Sequence, residues 1–211
     1  MLVRLASLSL LSALWLSLGP AGARAQTEHR HEQHAPAAAA AKPEDYEGLD
    51  VPDVTVRDQD GREIRFYSDL VKGKIVAINF IFTTCTTICP PLGATFAKLQ
   101  RSIDPGQASE VRLISISVDP AVDTPERLKA WSRKFGAPPG WTLVTGDKAE
   151  LDRLLRALGG YAARKEDHTP TVLIGDETRN RWTRTYGVAQ TARLNEIIRS
   201  LFLNREGRET R

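Results

Sequence analysis

The sequence predicts an α/β fold: a central, mostly parallel sheet with an antiparallel edge, helices on both faces and an N-terminal β-hairpin. Three observations carry this. Lys74 to Phe82 (KIVAINFIF) and Val111 to Val118 (VRLISISV) are nearly continuous apolar runs, as strands buried on both faces are. Each run is followed by a segment with helical spacing of its apolar residues, the alternation that builds parallel sheets. The chain then closes with a strand, a turn, a second strand and a helix, which adds antiparallel pairing at one edge.

The elements follow in order. Val54-Thr55-Val56 and Ile64-Arg65-Phe66 alternate on either side of Asp60-Gly61, which signals a hairpin. After the first buried run, Pro90 and Pro91 open a helix through Leu99, with Leu92, Phe96 and Leu99 on one side. After the second, Thr124 is the expected N-cap and Pro125 the first helical residue, with Leu128, Trp131 and Phe135 as the apolar stripe. Trp141 to Val144 reads as a short strand, and Asp147 caps a helix through Leu158. Thr171 to Ile174 pairs with Trp182 to Tyr186 across the Asp176 to Asn180 turn, and a last helix runs from about Thr191 to Leu203. No internal repeat is visible.

Residues 1–25 read as a secretory signal: Arg4 begins it, Leu5 to Leu18 is apolar, and Ala23-Arg24-Ala25 is a small-x-small cleavage site. An uncleaved N-terminal anchor is the alternative, disfavoured because the apolar run falls short of the ~20 residues that span a bilayer. No later segment is apolar enough to span, so no stable membrane span is expected after cleavage. Residues 26–45 read as a flexible linker containing His29, His31 and His34, residues 46–204 as the folded domain and 205–211 as a polar tail. The expected location is periplasmic, or the outer face of the cytoplasmic membrane. Without the two arginines of the signal the net charge falls from +3 to +1, which gives no electrostatic case for nucleic acid.

The chain has two cysteines, both in Cys85-Thr86-Thr87-Ile88-Cys89. A disulfide closing so tight a loop adds little stability, so a structural staple is a poor explanation for the pair. The pair lies between the end of a central strand and a helix, the edge at which sites form in open α/β sheets. A helix N-terminus favours the thiolate, which is both nucleophile and metal ligand. Three intervening residues suit a metal as well as a disulfide. Thiolate pairs select soft ions, chiefly Cu(I), with zinc as competitor. Thioether ligation is excluded, because Met1 is the only methionine. His168 is the only histidine in the folded domain and precedes Thr169-Pro170-Thr171. A lone histidine is more often structural, but a loop before a neighbouring strand can face the cysteines. The Thr169-Pro170-Thr171 segment resembles the thioredoxin-fold loop whose proline is cis, and an ordinary trans proline opening a strand is the alternative. His29, His31 and His34 read equally as auxiliary metal ligands or as a solvated tail.

Phe82-Thr83-Thr84-Cys85-Thr86-Thr87-Ile88-Cys89-Pro90, Ser117-Val118-Asp119-Pro120 with Asp123-Thr124-Pro125-Glu126, and Asp167-His168-Thr169 together resemble the SCO/SenC family. These are copper-binding proteins of thioredoxin-like fold linked to assembly of cytochrome c oxidase. The resemblance spans roughly residues 46–203. It implies that Cys85, Cys89 and His168 are the copper ligands and that Asp167 is a neighbouring acid that helps place the histidine loop, with a loop-capping role as the alternative. Asp119 and Asp123 also match the family, either as contacts to copper or a partner, or as turn and cap residues. Family members often carry Pro and an acidic residue between the cysteines; Thr86, Thr87 and Ile88 here change the rim that a partner meets. The His-bearing linker, in place of the family's frequent membrane anchor, suggests a soluble variant.

Two functions follow from the resemblance and the thiol chemistry. One is a metallochaperone that holds Cu(I) or Cu(II) and passes it to an acceptor such as cytochrome c oxidase subunit II. The other is a thiol–disulfide oxidoreductase using Cys85 and Cys89, reducing that acceptor's cysteines and itself recycled by thioredoxin-like reductants. A peroxidase is disfavoured, since no arginine and threonine set surrounds a single attacking cysteine.

Overall fold

The computed structural model describes residues 43–136 and 139–209. The signal-like segment and His29, His31 and His34 lie outside these residues. The described part is an eight-stranded sheet flanked by four α-helices. The strands are β1 (Glu44–Glu47), β2 (Thr55–Asp58), β3 (Glu63–Arg65), β4 (Ile75–Ile81), β5 (Val111–Ser117), β6 (Trp141–Thr145), β7 (Thr171–Asp176) and β8 (Arg181–Tyr186). The helices are α1 (Cys89–Ser102), α2 (Pro125–Arg133), α3 (Lys148–Ala157) and α4 (Thr191–Glu209). The sheet order is β1-β8-β7-β4-β5-β6-β2-β3.

The expectation of a mostly parallel sheet needs correction. Parallel pairing is confined to β4–β5 and β5–β6, and the other five neighbouring pairs are antiparallel. The reason lies in the connections. The helical connections from β4 to β5 and from β5 to β6 return the chain in the same direction, the short β2–β3 and β7–β8 links reverse it, and the longer β6–β7 connection, although it carries α3, brings β7 back antiparallel to β4. The antiparallel placement of β7 against β4 has the greatest consequence for function. Asn79 of β4 faces Val172 of β7, so the start of β7 lies beside the end of β4.

Burial of β4 on both faces makes it the spine of the fold. Ile75, Ala77 and Ile81 pack into one core with Leu92, Phe96 and Leu99 of α1, Trp131 of α2 and Leu194 and Ile198 of α4. Val76, Ile78 and Phe80 face the other core, with Leu151, Leu154 and Leu155 of α3. Phe66, read as a strand residue, instead begins a π-helical turn, Phe66–Val71. The Asp53 carboxylate captures the Tyr67 and Ser68 N–H groups at 3.0 Å each and turns the chain out of the strand, while Phe66 stays fully buried. The caps are as the sequence reads: the Thr124 side chain accepts from the Arg127 N–H, and Asp147 accepts from the Ala149 and Glu150 N–H groups. Helix α4 runs on to Glu209, through residues read as a polar tail, because Arg205 reaches the buried Asp176 at 2.6 Å and 2.9 Å.

Candidate functional site

Strand β4 ends at Ile81, and the chain turns at once, with the Cys85 N–H donating to the Phe82 carbonyl. Helix α1 then starts at Cys89, and the residue at its N-cap position, Ile88, has no side chain able to cap it. Its first-turn donors are few. Pro90 and Pro91 carry no N–H, and the Leu92 N–H is taken by the Ile88 carbonyl. The Cys89 N–H remains, and it donates to the Cys85 sulfur at 3.3 Å. The Cys85 sulfur therefore occupies the place of an N-cap acceptor, where the helix dipole favours negative charge.

This arrangement makes the two thiols unequal. Burial acts to raise the Cys85 thiol, but hydrogen bonds from Cys89, through its side chain and its N–H, and from Thr87 outweigh it and bring the thiol below its usual value. The Thr87 hydroxyl lies 3.8 Å from the Cys85 sulfur. Cys89 is fully buried, and that burial, together with its bond to Cys85, pushes it up to about 12. Both cysteines are free thiols.

His168 sits just before β7, which the antiparallel pairing brings to the same edge. Its ring stands edge-on to Phe82, with centroids 5.7 Å apart. Nδ1 lies 2.6 Å from the Lys165 carbonyl. A carbonyl oxygen only accepts, so Nδ1 carries the hydrogen and Nε2 holds the free lone pair. Nε2 is buried without a hydrogen-bond partner. A buried polar atom left unpaired is costly, and a ligand or ion taken up at this edge would satisfy it. His168 and Cys85 line a shared pocket of about 500 Å³, with Phe82, Ile88, Lys165 and Pro170 among its walls. A larger cavity, of about 650 Å³, lies between β1, β8 and α4 and holds none of the expected site residues.

The other expected residues take different places. The Asp167 carboxylate is half exposed and pairs with Arg164 at 3.2 Å, while the partner of the imidazole is the Lys165 carbonyl. The cis expectation at Pro170 does not hold. No cis peptide occurs among the described residues, and Pro170 is the trans proline that opens a strand, its carbonyl accepting from the Gly187 N–H at 2.8 Å. Asp123 is fully buried and accepts from the Thr83 N–H, the Thr83 hydroxyl and the Ser117 hydroxyl. Asp119 accepts from the Lys165 ammonium at 2.7 Å. Thr83, Ser117 and Lys165 are thus part of the site's framework, and no local pattern in the sequence marks them.

Two sulfurs and an imidazole nitrogen are the donor set of a soft metal ion, and the unpaired Nε2 fits that use. Among the described residues no three His, Cys, Asp or Glu side chains are gathered as a ready-made metal cluster, so the third donor shares the pocket without closing on the sulfurs.

Known proteins share this architecture. A SCO1 protein homolog of Bacillus subtilis (strain 168) is 37% identical over 98 residues, which cover 46% of this chain and 49% of that protein. The chain spans about half the length of the curated relatives it matches. ScoI of Bradyrhizobium japonicum, whose structure was solved with copper bound, superposes with a TM-score of 0.54 at 27% identity, covering 65% of this chain and 88% of that one. BsSco, described with a disulfide switch and as a member of the Sco family of cytochrome c oxidase assembly proteins, superposes with a TM-score of 0.58 at 26% identity, covering 75% and 94%. These superpositions bear out the thioredoxin-like α/β fold. The SCO1/SenC family model matches residues 51–201, well over half of the chain, and the chain belongs to the SCO1/SenC family.

Proposed function

We propose that this chain is an exported copper-binding protein that acts as a copper chaperone for assembly of the copper site of cytochrome c oxidase. The observation that carries the reading is the buried, unpaired Nε2 of His168 in the pocket that Cys85 lines. Cys85, Cys89 and His168 would hold the ion, as the copper-bound relative and the soft donor set support. Bound copper would supply the cargo that an acceptor such as subunit II takes up by ligand exchange. Cys85 gives up its proton more readily than an ordinary thiol, because the hydrogen bonds at the start of α1 outweigh its burial. Cys89 has to give up its proton, so loading releases hydrogen ions and strengthens as pH rises. Export rests on the signal-like residues 1–25, and no helix among the described residues is long and apolar enough to cross a membrane. His29, His31 and His34 would add auxiliary ligands outside the domain.

His168→Ala tests the ligand set. The variant is expected to lose Cu(II) affinity by at least tenfold in a competitive titration, with thiol exchange intact. Wild-type Cu(II) affinity in the variant would remove His168 from the site. Reduced wild-type protein that takes up no copper would remove the chaperone reading.

The inequality of the thiols favours a second reading as a thiol–disulfide oxidoreductase. The Cys85 thiolate, which faces the pocket, attacks one sulfur of a partner's disulfide. The partner's S–S bond breaks, its other sulfur leaves as thiolate, and a mixed disulfide forms. Cys89, once deprotonated, attacks the Cys85 sulfur and releases the partner's second thiolate. The partner gains two electrons, and this chain is left with a Cys85–Cys89 disulfide.

A further inference from the structure

The two halves of the site are fastened to one short turn. Residues Asp119 to Asp123 form a closed loop after β5, in which the Val122 and Asp123 N–H groups donate to the Asp119 carbonyl at 3.0 Å and 2.9 Å. From its far end, Asp123 holds Thr83, two residues before Cys85. From its near end, Asp119 holds the Lys165 ammonium, three residues before His168. That ion pair is largely withdrawn from water, with the two side chains 29% and 13% exposed. The Lys165 backbone carbonyl in turn accepts from the His168 ring and, at 3.4 Å, from the His168 N–H. The same ammonium stands 5.3 Å from the centroid of the Phe82 ring, against whose edge His168 packs.

We propose that Lys165 is a positioning residue for His168, and that its ion pair with Asp119 is the latch that sets the reach of the imidazole toward the cysteines. This rests on the reading of His168 as a metal ligand. The physical argument is one of linkage along a single residue. The side chain of Lys165 is anchored to the turn that also anchors the cysteine loop, and its carbonyl fixes the tautomer and direction of the ring. Residues 165–167 form one 3₁₀ turn, so movement of the Lys165 backbone is carried directly to His168. Asp167, the neighbouring acid, plays no part in this, because its carboxylate is engaged by Arg164. The latch has an electrostatic side as well. Pairing with Asp119 neutralises the Lys165 ammonium at the wall of the pocket, where Glu166 is the remaining acidic side chain.

Lys165→Met keeps the length of the stem and removes the charge, and Lys165→Arg keeps the charge. In metal-free protein, nitrogen chemical shifts of the His168 ring and amide exchange of residues 164–168 are the first readout. Wild type is expected to show a single Nδ1–H tautomer and slowed exchange. Lys165→Met and Asp119→Asn are expected to mix the tautomers and speed exchange, and Lys165→Arg to restore both. The second readout is copper affinity. Cu(II) binding is expected to weaken by about threefold to tenfold in Lys165→Met, the range of a partly buried ion pair, with Cu(I) affinity, which the two sulfurs dominate, within twofold of wild type. Unchanged ring shifts and exchange in Lys165→Met overturn the latch. So does an equal loss of Cu(I) and Cu(II) affinity, which marks a general loss of structure, or unchanged Cu(II) affinity where His168→Ala weakens it. If His168→Ala itself binds Cu(II) like wild type, the ligand reading falls, and the metal-free measurements alone decide the latch.

Discussion

Replacing Asp123 with alanine separates a framework role from a ligand role. The carboxylate is fully buried and accepts from the Thr83 N–H at 3.1 Å, from the Thr83 hydroxyl and from the Ser117 hydroxyl at 2.7 Å. Alanine leaves these donors in place without an acceptor. The hydroxyls can rotate in search of another partner, but the Thr83 N–H cannot. A stranded buried donor costs about 1–3 kcal/mol, and hydrogen bonds to a charged acceptor stand at the upper end of that range. Allowing for partial relaxation, the loss is about 3–4 kcal/mol, a large part of the ~5–15 kcal/mol that stabilises a typical domain. Urea unfolding of the reduced, metal-free protein measures it as a fall in midpoint with the slope preserved. Asp123→Asn keeps one acceptor oxygen and is expected to lose about half as much. A loss under ~1 kcal/mol in Asp123→Ala, together with weakened copper binding, would refute the framework role and return the carboxylate to metal or partner contact.

Gly93→Ala sets two effects against each other. Alanine is favoured over glycine within a helix by about 1 kcal/mol, but a Cβ at Gly93 would lie 2.6 Å from the Phe135 ring and 2.7 Å from Trp131. Overpacking of that kind costs about 1–3 kcal/mol, so a net loss of up to about 2 kcal/mol is expected in urea unfolding; stabilisation would show that α2 yields freely. Iodoacetamide at pH 7.5 is expected to label Cys85 alone in the folded protein and both cysteines in urea, read by mass spectrometry. Because the Cys85 thiol lies below its usual value, its labelling rate should level off at lower pH than that of an unstructured cysteine, whose own pKa is about 8.5; equal labelling of Cys89 in the folded state would contradict the inequality of the two thiols.

The parts of the fold that were legible are those written in local chemistry. Lys74 to Phe82 and Val111 to Val118 are predominantly apolar because β4 and β5 are covered on both faces. Thr124 with Pro125, and Asp147, announce helix starts because a cap and its donors lie within three residues of each other. Strand β1 was not legible. Glu44 to Glu47 are charged or half exposed, and pairing with β8 rather than apolar pattern makes them a strand. Strand direction was misjudged for a related reason: apolar runs report burial, and only the connections report direction.

The site divides in the same way. Cys85, Cys89 and His168 stand out by residue type, so their shared sheet edge was open to inference. The group that steers the imidazole was not, since the Lys165 carbonyl is a backbone atom and carries no residue signature. Asp167 drew attention instead, because it is acidic and adjacent. The Asp119–Lys165 pair joins residues 46 positions apart, which no local pattern predicts. The family match agrees with the resemblance that the three motifs carried.

The antiparallel docking of β7 on β4 also bears on when the site comes into being. Cys85 and Cys89 are four residues apart along the chain, but His168 follows Cys89 only after α1, β5, α2, β6 and α3 have been laid down. An unfolded chain therefore offers a bare dithiol, with its imidazole at the end of a long open loop whose closure is opposed by entropy. The imidazole joins the two thiols at one edge only once β7 is docked on β4, so the complete donor set is a property of the finished sheet and not of the local Cys85–Cys89 segment.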